Sequence, residues 1–264
     1  MIQPFTVDVP GGRLIGDRHP GKGSPLILVH GFGGSRGDWA PLLRALPDDL
    51  SWIAYDLRGF GQSTGEAGTS FSHADDLQVL MDHLGLAQVD LCGMSLGGAT
   101  ALHCALDHPD RVRRLVLISP LIVGWSWSED WITRWKAIGR AARSGDMATA
   151  RDLWWQHPLF ASTRASPAAD GLRASIEAFH GEQWISDDQR PELPDIDRLT
   201  TLSTPTLLLT GTQDLPDFRL IADAIEALGQ QVTRVDHPGA GHMLNLEIPA
   251  AIGPRIASFL RSGS

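Results

Sequence analysis

The sequence predicts an α/β protein with a mostly parallel sheet and a helical insertion near the middle of the chain. Two observations lead to this prediction. Short apolar runs alternate with helical patterns through most of the 264 residues, which is typical of strands buried on both faces of a parallel sheet. Between residues 123 and 199 the alternation stops, and only helical patterns remain.

Five apolar runs have the length and composition of buried strands, namely residues 26–30, 52–55, 89–92, 115–118 and 206–209. Residues 5–9 and 13–15 flank Gly11 and Gly12 and predict an antiparallel hairpin instead. Helical spacing of apolar residues follows the third and fifth runs and recurs near the C-terminus, at Ala99/Leu102/Leu106, Phe218/Ile221/Ile225/Leu228 and Ile252/Ile256/Phe259.

The insertion contains three helical patterns: Trp131/Trp135/Ile138, Met147/Ala150/Trp154 and Leu172/Ile176/Phe179. It also holds seven of the nine tryptophans, at positions 125, 127, 131, 135, 154, 155 and 184. We interpret residues 123–199 as a helical cap inserted into a core made of residues 1–122 and 200–264. Part of the apolar underside of such a cap would face the substrate, which favours an apolar or aromatic small molecule over a sugar or phosphate.

Composition limits the partners. The formal net charge of −9 argues against nucleic acid binding. No apolar stretch approaches the length of a membrane span, and no basic segment followed by an apolar run marks a signal peptide, so a cytoplasmic protein is expected. Cys92 and Cys104 form no disulfide or zinc pattern and are interpreted as buried small residues. No metal or cofactor is implied, and the oligomeric state stays open.

A G-x-S-x-G pattern at Gly93, Ser95 and Gly97 lies between a predicted strand and a predicted helix. In this setting the central residue sits on a sharp, strained turn. Side chains two residues before and after it would collide, which explains both glycines. The pattern predicts Ser95 as a nucleophile at the carboxyl end of the sheet, whereas the alternative is an ordinary glycine turn with a capping serine.

A serine hydroxyl needs a base, and the base needs an acid to orient it. Among ten histidines, His242 is the strongest candidate because its glycine-containing loop follows the strand-like residues 232–235. His237 ends that strand before a proline and is interpreted as a turn residue. Asp214 follows the strand 206–210 and is the predicted acid. Asp217 competes with it, but we interpret Asp217 as the N-cap of the next helix.

The reaction also needs donors for a developing oxyanion. The backbone N–H of Leu96, directly after the nucleophile, supplies one. The glycine-rich residues 30–34 allow close backbone approach, and the Phe32 N–H is the predicted second donor. His30 is interpreted as a residue that braces this loop by hydrogen bonding rather than as a reactant.

These segments together resemble the α/β-hydrolase superfamily over nearly the full chain. The matching pieces are residues 30–33, 56–63, 93–98, 211–214 and 241–242. The resemblance implies an eight-stranded, mostly parallel sheet with helices on both faces and a cap. The chain order Ser95, Asp214, His242 matches the nucleophile–acid–histidine order of that superfamily. Asp56 and Arg58 lie in a loop that is normally structural there.

Departures from related families narrow the activity. Dehalogenases and epoxide hydrolases of this superfamily have aspartate where Ser95 stands. C–C hydrolases resemble this chain but have asparagine at Met94 and often tryptophan at Met243. The ending 241–247 resembles small esterases and enol-lactonase-like hydrolases. We therefore expect hydrolysis of a small, largely apolar ester or lactone through an acyl-enzyme. The alternatives are a C–C hydrolase, thioesterase or perhydrolase, and a non-catalytic small-molecule receptor.

Overall fold

The sheet is the framework of the molecule. The computed structural model describes residues 1–262. Within them the strands are β1 (Gln3–Val9), β2 (Gly12–His19), β3 (Lys22–Val29), β4 (Leu50–Tyr55), β5 (Thr64–Gly65), β6 (Val89–Met94), β7 (Val112–Ile118), β8 (Thr206–Gly211) and β9 (Val232–His237). Eight of them follow the order β1-β2-β4-β3-β6-β7-β8-β9, and the two-residue β5 pairs with β2. All neighbours from β4 to β9 are parallel, which confirms the predicted sheet.

The helices of the described chain are α1 (Ala40–Leu43), α2 (His73–His83), α3 (Leu96–Asp107), α4 (Glu129–Arg143), α5 (Met147–Trp155), α6 (Ala161–Arg164), α7 (Ala169–Ala178), α8 (Glu182–Ile185), α9 (Pro216–Leu228), α10 (Leu244–Glu247) and α11 (Pro249–Arg261). Short 3-10 helices span Arg36–Trp39, Pro158–Phe160 and Asp195–Thr201. None of the helices in residues 1–262 combines the length and apolar character that crossing a bilayer requires.

The helices form a layer on each face of the sheet. A right-handed crossover between parallel strands places its helix on a face set by the direction in which the chain moves along the sheet. The chain moves one way from β3 to β4 through α1, and the opposite way from β6 to β7 through α3. Accordingly α1 packs against α11, and α3 packs against α2. The predicted two-sided arrangement is confirmed.

The segment predicted to be a cap lies between β7 and β8, and we keep the name cap for it. Residues 119–205, all of them described, add no strand to the sheet and contain α4 to α8. Helix α4 begins where the Ser128 hydroxyl accepts a hydrogen bond from the Trp131 N–H, and it carries acidic residues in its first turn and arginines in its last. The domain bounds 1–122, 123–199 and 200–264 stay a prediction, and residues 263–264 lie outside the described chain.

Candidate active site

The turn after β6 has the geometry that its glycines predict. Ser95 has φ 53° and ψ −114°, a strained conformation for a residue with a side chain. A Cβ on Gly93 would lie 2.1 Å from the Gly97 carbonyl oxygen, and a Cβ on Gly97 would lie 2.0 Å from the Val29 carbonyl oxygen. Both positions therefore require glycine, because the turn packs directly against itself and against β3.

Asp214 and His242 meet at the carboxyl edge of the sheet, on the loops that follow β8 and β9. His242 Nδ1 lies 2.9 Å from Asp214 Oδ2, and both side chains are 1% exposed. The other carboxylate oxygen of Asp214 accepts a hydrogen bond from the Leu215 N–H. His242 Nε2 is buried and has no hydrogen-bond partner within the described residues. Ser95 and His242 line the same cavity.

Within the described residues Asp217 forms no hydrogen bond or ion pair with His242; it binds the start of the cap. The expected N-cap role is wrong, because Leu215 is the N-cap residue and Asp217 lies inside the first turn of α9. Its carboxylate accepts hydrogen bonds from Trp125 Nε1 at 3.1 Å and from the Ser128 N–H and hydroxyl at 3.2 and 2.6 Å. The two carboxylates are three residues apart in the chain but serve different partners.

The loop after β3 brings Phe32 to the nucleophile turn. A Cβ on Gly31 would lie 2.7 Å from Met94 Sδ and 3.3 Å from Ser95 Cβ, so glycine lets the loop lie close to the nucleophile turn without displacing the Met94 side chain. Phe32 and Leu96 both line the cavity with Ser95. Neither of their backbone N–H groups has an acceptor within residues 1–262, so both are available to a bound group.

His30 braces that loop, as expected. Its Nε2 accepts a hydrogen bond from the Leu57 N–H at 3.0 Å, and its Nδ1 lies 2.8 Å from the Gly31 carbonyl oxygen. These contacts fit a neutral ring with one donor and one acceptor. Burial lowers the pKa of His30, which favours that neutral form. His237, the other histidine considered, is the last residue of β9 and does not line the cavity.

Asp56 and Arg58, which the sequence analysis assigned to a structural loop, are buried and bonded to neighbouring residues. Asp56 is buried and accepts hydrogen bonds from the Arg36 and Gln62 N–H groups. Arg58 forms a buried ion pair with Asp76.

Cys92 and Cys104 are buried free thiols. Burial raises the pKa of both, that of Cys104 to about 12. In residues 1–262 no group of histidine, cysteine and carboxylate side chains is arranged to hold a metal ion.

The cavity over Ser95 has a volume of about 350 Å³. Most of its wall is apolar, and four cap tryptophans take part in it: Trp127, Trp131, Trp135 and Trp154. Rings from core and cap meet there, since Phe32 contacts Trp135 edge to face with centroids 5.0 Å apart. Phe218 similarly contacts Trp131 of the cap, with centroids 5.6 Å apart, and it also packs on His242, with centroids 4.3 Å apart. The aromatic cap residues are thus divided between packing and cavity wall.

Asp38 is one of the polar wall residues that the sequence analysis did not single out. Asp38 lines the cavity, and its carboxylate accepts hydrogen bonds from the Ser35 N–H and, across to the cap, from the Ser175 hydroxyl at 3.1 Å. Burial raises the pKa of Asp38. The spacing from Ser35 to Asp38 is a capping-box pattern at the start of a 3-10 helix, and this signal could have identified it.

Comparisons with known proteins agree with this architecture. A family model described as alpha/beta hydrolase fold matches residues 24–153. A protein of Caulobacter sp. (strain K31), provisionally named carbamate hydrolase RutD, is 30% identical, with 98% of each chain covered. The carboxylesterase CesB (YbfK) from Bacillus subtilis superposes with a TM-score of 0.82 at 25% identity, covering 100% of this chain and 93% of that one. A thermophilic esterase from Thermogutta terrifontis gives a TM-score of 0.79 at 27% identity, with 98% of each chain covered.

The fold and these likenesses define a hydrolase. The chain belongs to the α/β-hydrolase family.

Proposed function

We propose that this hydrolase cleaves a small, largely apolar carboxylic ester or lactone through an acyl-enzyme on Ser95. The arrangement of His242 carries the proposal. Its Nδ1 is hydrogen-bonded to Asp214, whereas its Nε2 has no hydrogen-bond partner in the described chain. His242 and Ser95 line the same cavity. A histidine held at one nitrogen and free at the other can accept the proton of a serine hydroxyl.

Each step follows from these positions. Ser95 Oγ attacks the carbonyl carbon while His242 Nε2 takes the hydroxyl proton, and Asp214 stabilises the imidazolium that forms. The Phe32 and Leu96 N–H groups donate to the oxyanion of the tetrahedral intermediate. When the carbon–oxygen bond of the alcohol breaks, His242 returns the proton to the leaving oxygen. Water, deprotonated by His242, then attacks the acyl carbon. As the carbon–Oγ bond breaks, His242 returns that proton to Ser95 Oγ and the acid is released.

The substrate class is supported by the cavity and by the relatives. The wall offers tryptophan rings and aliphatic side chains, and a cavity of about 350 Å³ suits a small molecule. Two structural neighbours at 25% and 27% identity are named as a carboxylesterase and an esterase. Carbamates are the second candidate class, because the 30% identical relative is provisionally named a carbamate hydrolase and the same acyl transfer applies to a carbamate carbonyl.

A substrate panel with a matched pair of variants tests the proposal. Purified protein is assayed with p-nitrophenyl esters, lactones, carbamates, thioesters and vinylogous diketones. We expect esters or lactones to rank first, and S95A to lower kcat/KM at least about 10³-fold. S119A is the control, because Ser119 also has positive φ and is buried, with an unpartnered hydroxyl in the described chain. Ester turnover in S95A close to that of wild type would overturn the proposal.

A further inference from the structure

Glu247 joins the loop of His242 to the cap. It is the last residue of α10, five positions after His242. Its Oε2 accepts hydrogen bonds from the Gly241 N–H at 2.7 Å and from the Ser162 hydroxyl at 2.8 Å. Its Oε1 accepts from the Thr163 hydroxyl at 2.6 Å and from the Met243 N–H at 3.3 Å. One carboxylate thus receives four hydrogen bonds.

The two backbone donors lie on either side of His242. Gly241 and Met243 are its direct neighbours in the chain, so the carboxylate fixes the backbone on both sides of the imidazole. This is a second restraint on His242, independent of the hydrogen bond that the ring donates to Asp214. Asp214 sets the orientation of the ring, whereas Glu247 sets the position of the Cα from which the ring extends.

The two hydroxyl donors belong to the cap. Ser162 and Thr163 lie in α6, which contacts α10. The cap helix also packs on the loop itself, since a Cβ on Gly241 would lie 2.5 Å from Ser162 Cβ. No arginine or lysine forms an ion pair with Glu247 within residues 1–262. The carboxylate is therefore held by hydrogen-bond donors from both sides, and it ties their positions together.

We propose that Glu247 is a positioning residue that couples the placement of the cap to the alignment of His242. The inference rests on the proposed function, in which His242 is the base. A displacement of the base by about 1 Å can cost on the order of 10²-fold in rate. A cap that shifts at α6 would move the histidine loop through this carboxylate, so substrate contacts in the cap can influence the reaction at Ser95.

Two kinds of variant separate this coupling from a purely structural role. E247Q keeps the shape of the side chain but replaces one acceptor oxygen by an amide donor. The double variant S162A/T163V removes only the bonds from the cap and leaves the Gly241 and Met243 bonds in place. S166A is the control, because in residues 1–262 the Ser166 hydroxyl bonds within the cap segment, donating to the Thr163 carbonyl oxygen and accepting from the Ala168 N–H.

The assay measures kcat and KM for p-nitrophenyl acetate, whose acyl group is too small to need the cap, together with Tm. We expect kcat to fall about 10²-fold in E247Q and about tenfold in S162A/T163V, with KM within about threefold of wild type and S166A unchanged. If E247Q does not fold, S162A/T163V carries the test alone.

Unchanged kcat in folded E247Q, or in S162A/T163V, would overturn the coupling, even where Tm falls. S95A in the same assay separates the two proposals. An inactive S95A with an unchanged E247Q would contradict only the role of Glu247, whereas an active S95A would overturn the proposed function and the inference that rests on it.

Discussion

The carboxyl edge of the sheet and the cap above it are held by different kinds of contact. At the sheet edge, hydrogen bonds fix the polar groups, such as the bond that the His242 ring donates to Asp214 and the bond that the Leu57 N–H donates to His30. In the cap, aromatic rings pack face to face, as Trp131 does with Trp127 and Trp135, and edge to face, as Trp154 does with Phe160. Directional hydrogen bonds fix the relative positions of individual atoms at the sheet edge, whereas the packed rings of the cap fix the form of the cavity wall. We infer that the sheet edge holds the proposed reacting groups and that the wall of the cap selects the substrate, with Glu247 connecting the two regions.

Variants of Asp214 and Asp217 test the difference between the two regions most sharply, because Asp214 binds His242 at the sheet edge and Asp217 binds the start of the cap. D214N should lower kcat/KM by about 10³- to 10⁴-fold, because an amide neither stabilises the imidazolium nor fixes the required tautomer. D217N should lower it by no more than about tenfold, because the hydrogen bonds of Asp217 in the described chain go to Trp125 and Ser128 at the start of the cap. Steady-state kinetics with p-nitrophenyl acetate measure both. Equal losses, or a larger loss in D217N, would contradict the division.

The cap tryptophans should alter selectivity rather than the chemical step. In W131A we expect kcat/KM for aryl and long-chain esters to fall about 10- to 10²-fold relative to the acetate, because a large apolar contact in the cavity is lost. W155A is the matched control, since Trp155 packs against Arg164 and Arg173 and does not line the cavity. A uniform loss across all esters in W131A would count against this view of the cap.

Acid should destabilise the fold through buried neutral histidines, one of which lies in the cap. His157 contacts the rings of Trp131 and Trp154, and burial lowers its pKa from 6.5 to about 4. The unfolded chain therefore binds this proton more readily, and stability falls as pH drops from 6.5 towards 4. H157N retains a side-chain acceptor for the Leu159 N–H and removes the titration.

We expect the loss of Tm across that pH window to be smaller in H157N than in wild type by a few degrees. Thermal unfolding followed by circular dichroism measures it. His73, buried in the core with a pKa of about 3, contributes in the same direction to both proteins, so it does not affect the difference. Identical pH profiles would show that the environment of His157 does not disfavour its charged form.

Sequence patterns identified the site residues whose positions depend on contacts with nearby residues in the chain. The turn at Ser95 was predictable because Gly93 and Gly97 are required by contacts within a few residues of chain or with the adjoining strand. Asp217 was misassigned because its partners Trp125 and Ser128 lie 92 and 89 residues away, and its position before a helix has an ordinary local explanation. Glu247 carried no local signal, since half of its hydrogen bonds come from the cap.

Covalent labelling tests the central claim, that Ser95 is the nucleophile, most directly. A fluorophosphonate forms a stable adduct with a serine that an adjacent base activates. The protein is labelled, and intact mass and tandem mass spectrometry locate the adduct. We predict a single adduct on Ser95 in wild type and in S119A, and none in S95A. An adduct that persists in S95A, or that maps to another residue while Ser95 stays unmodified, would contradict the account.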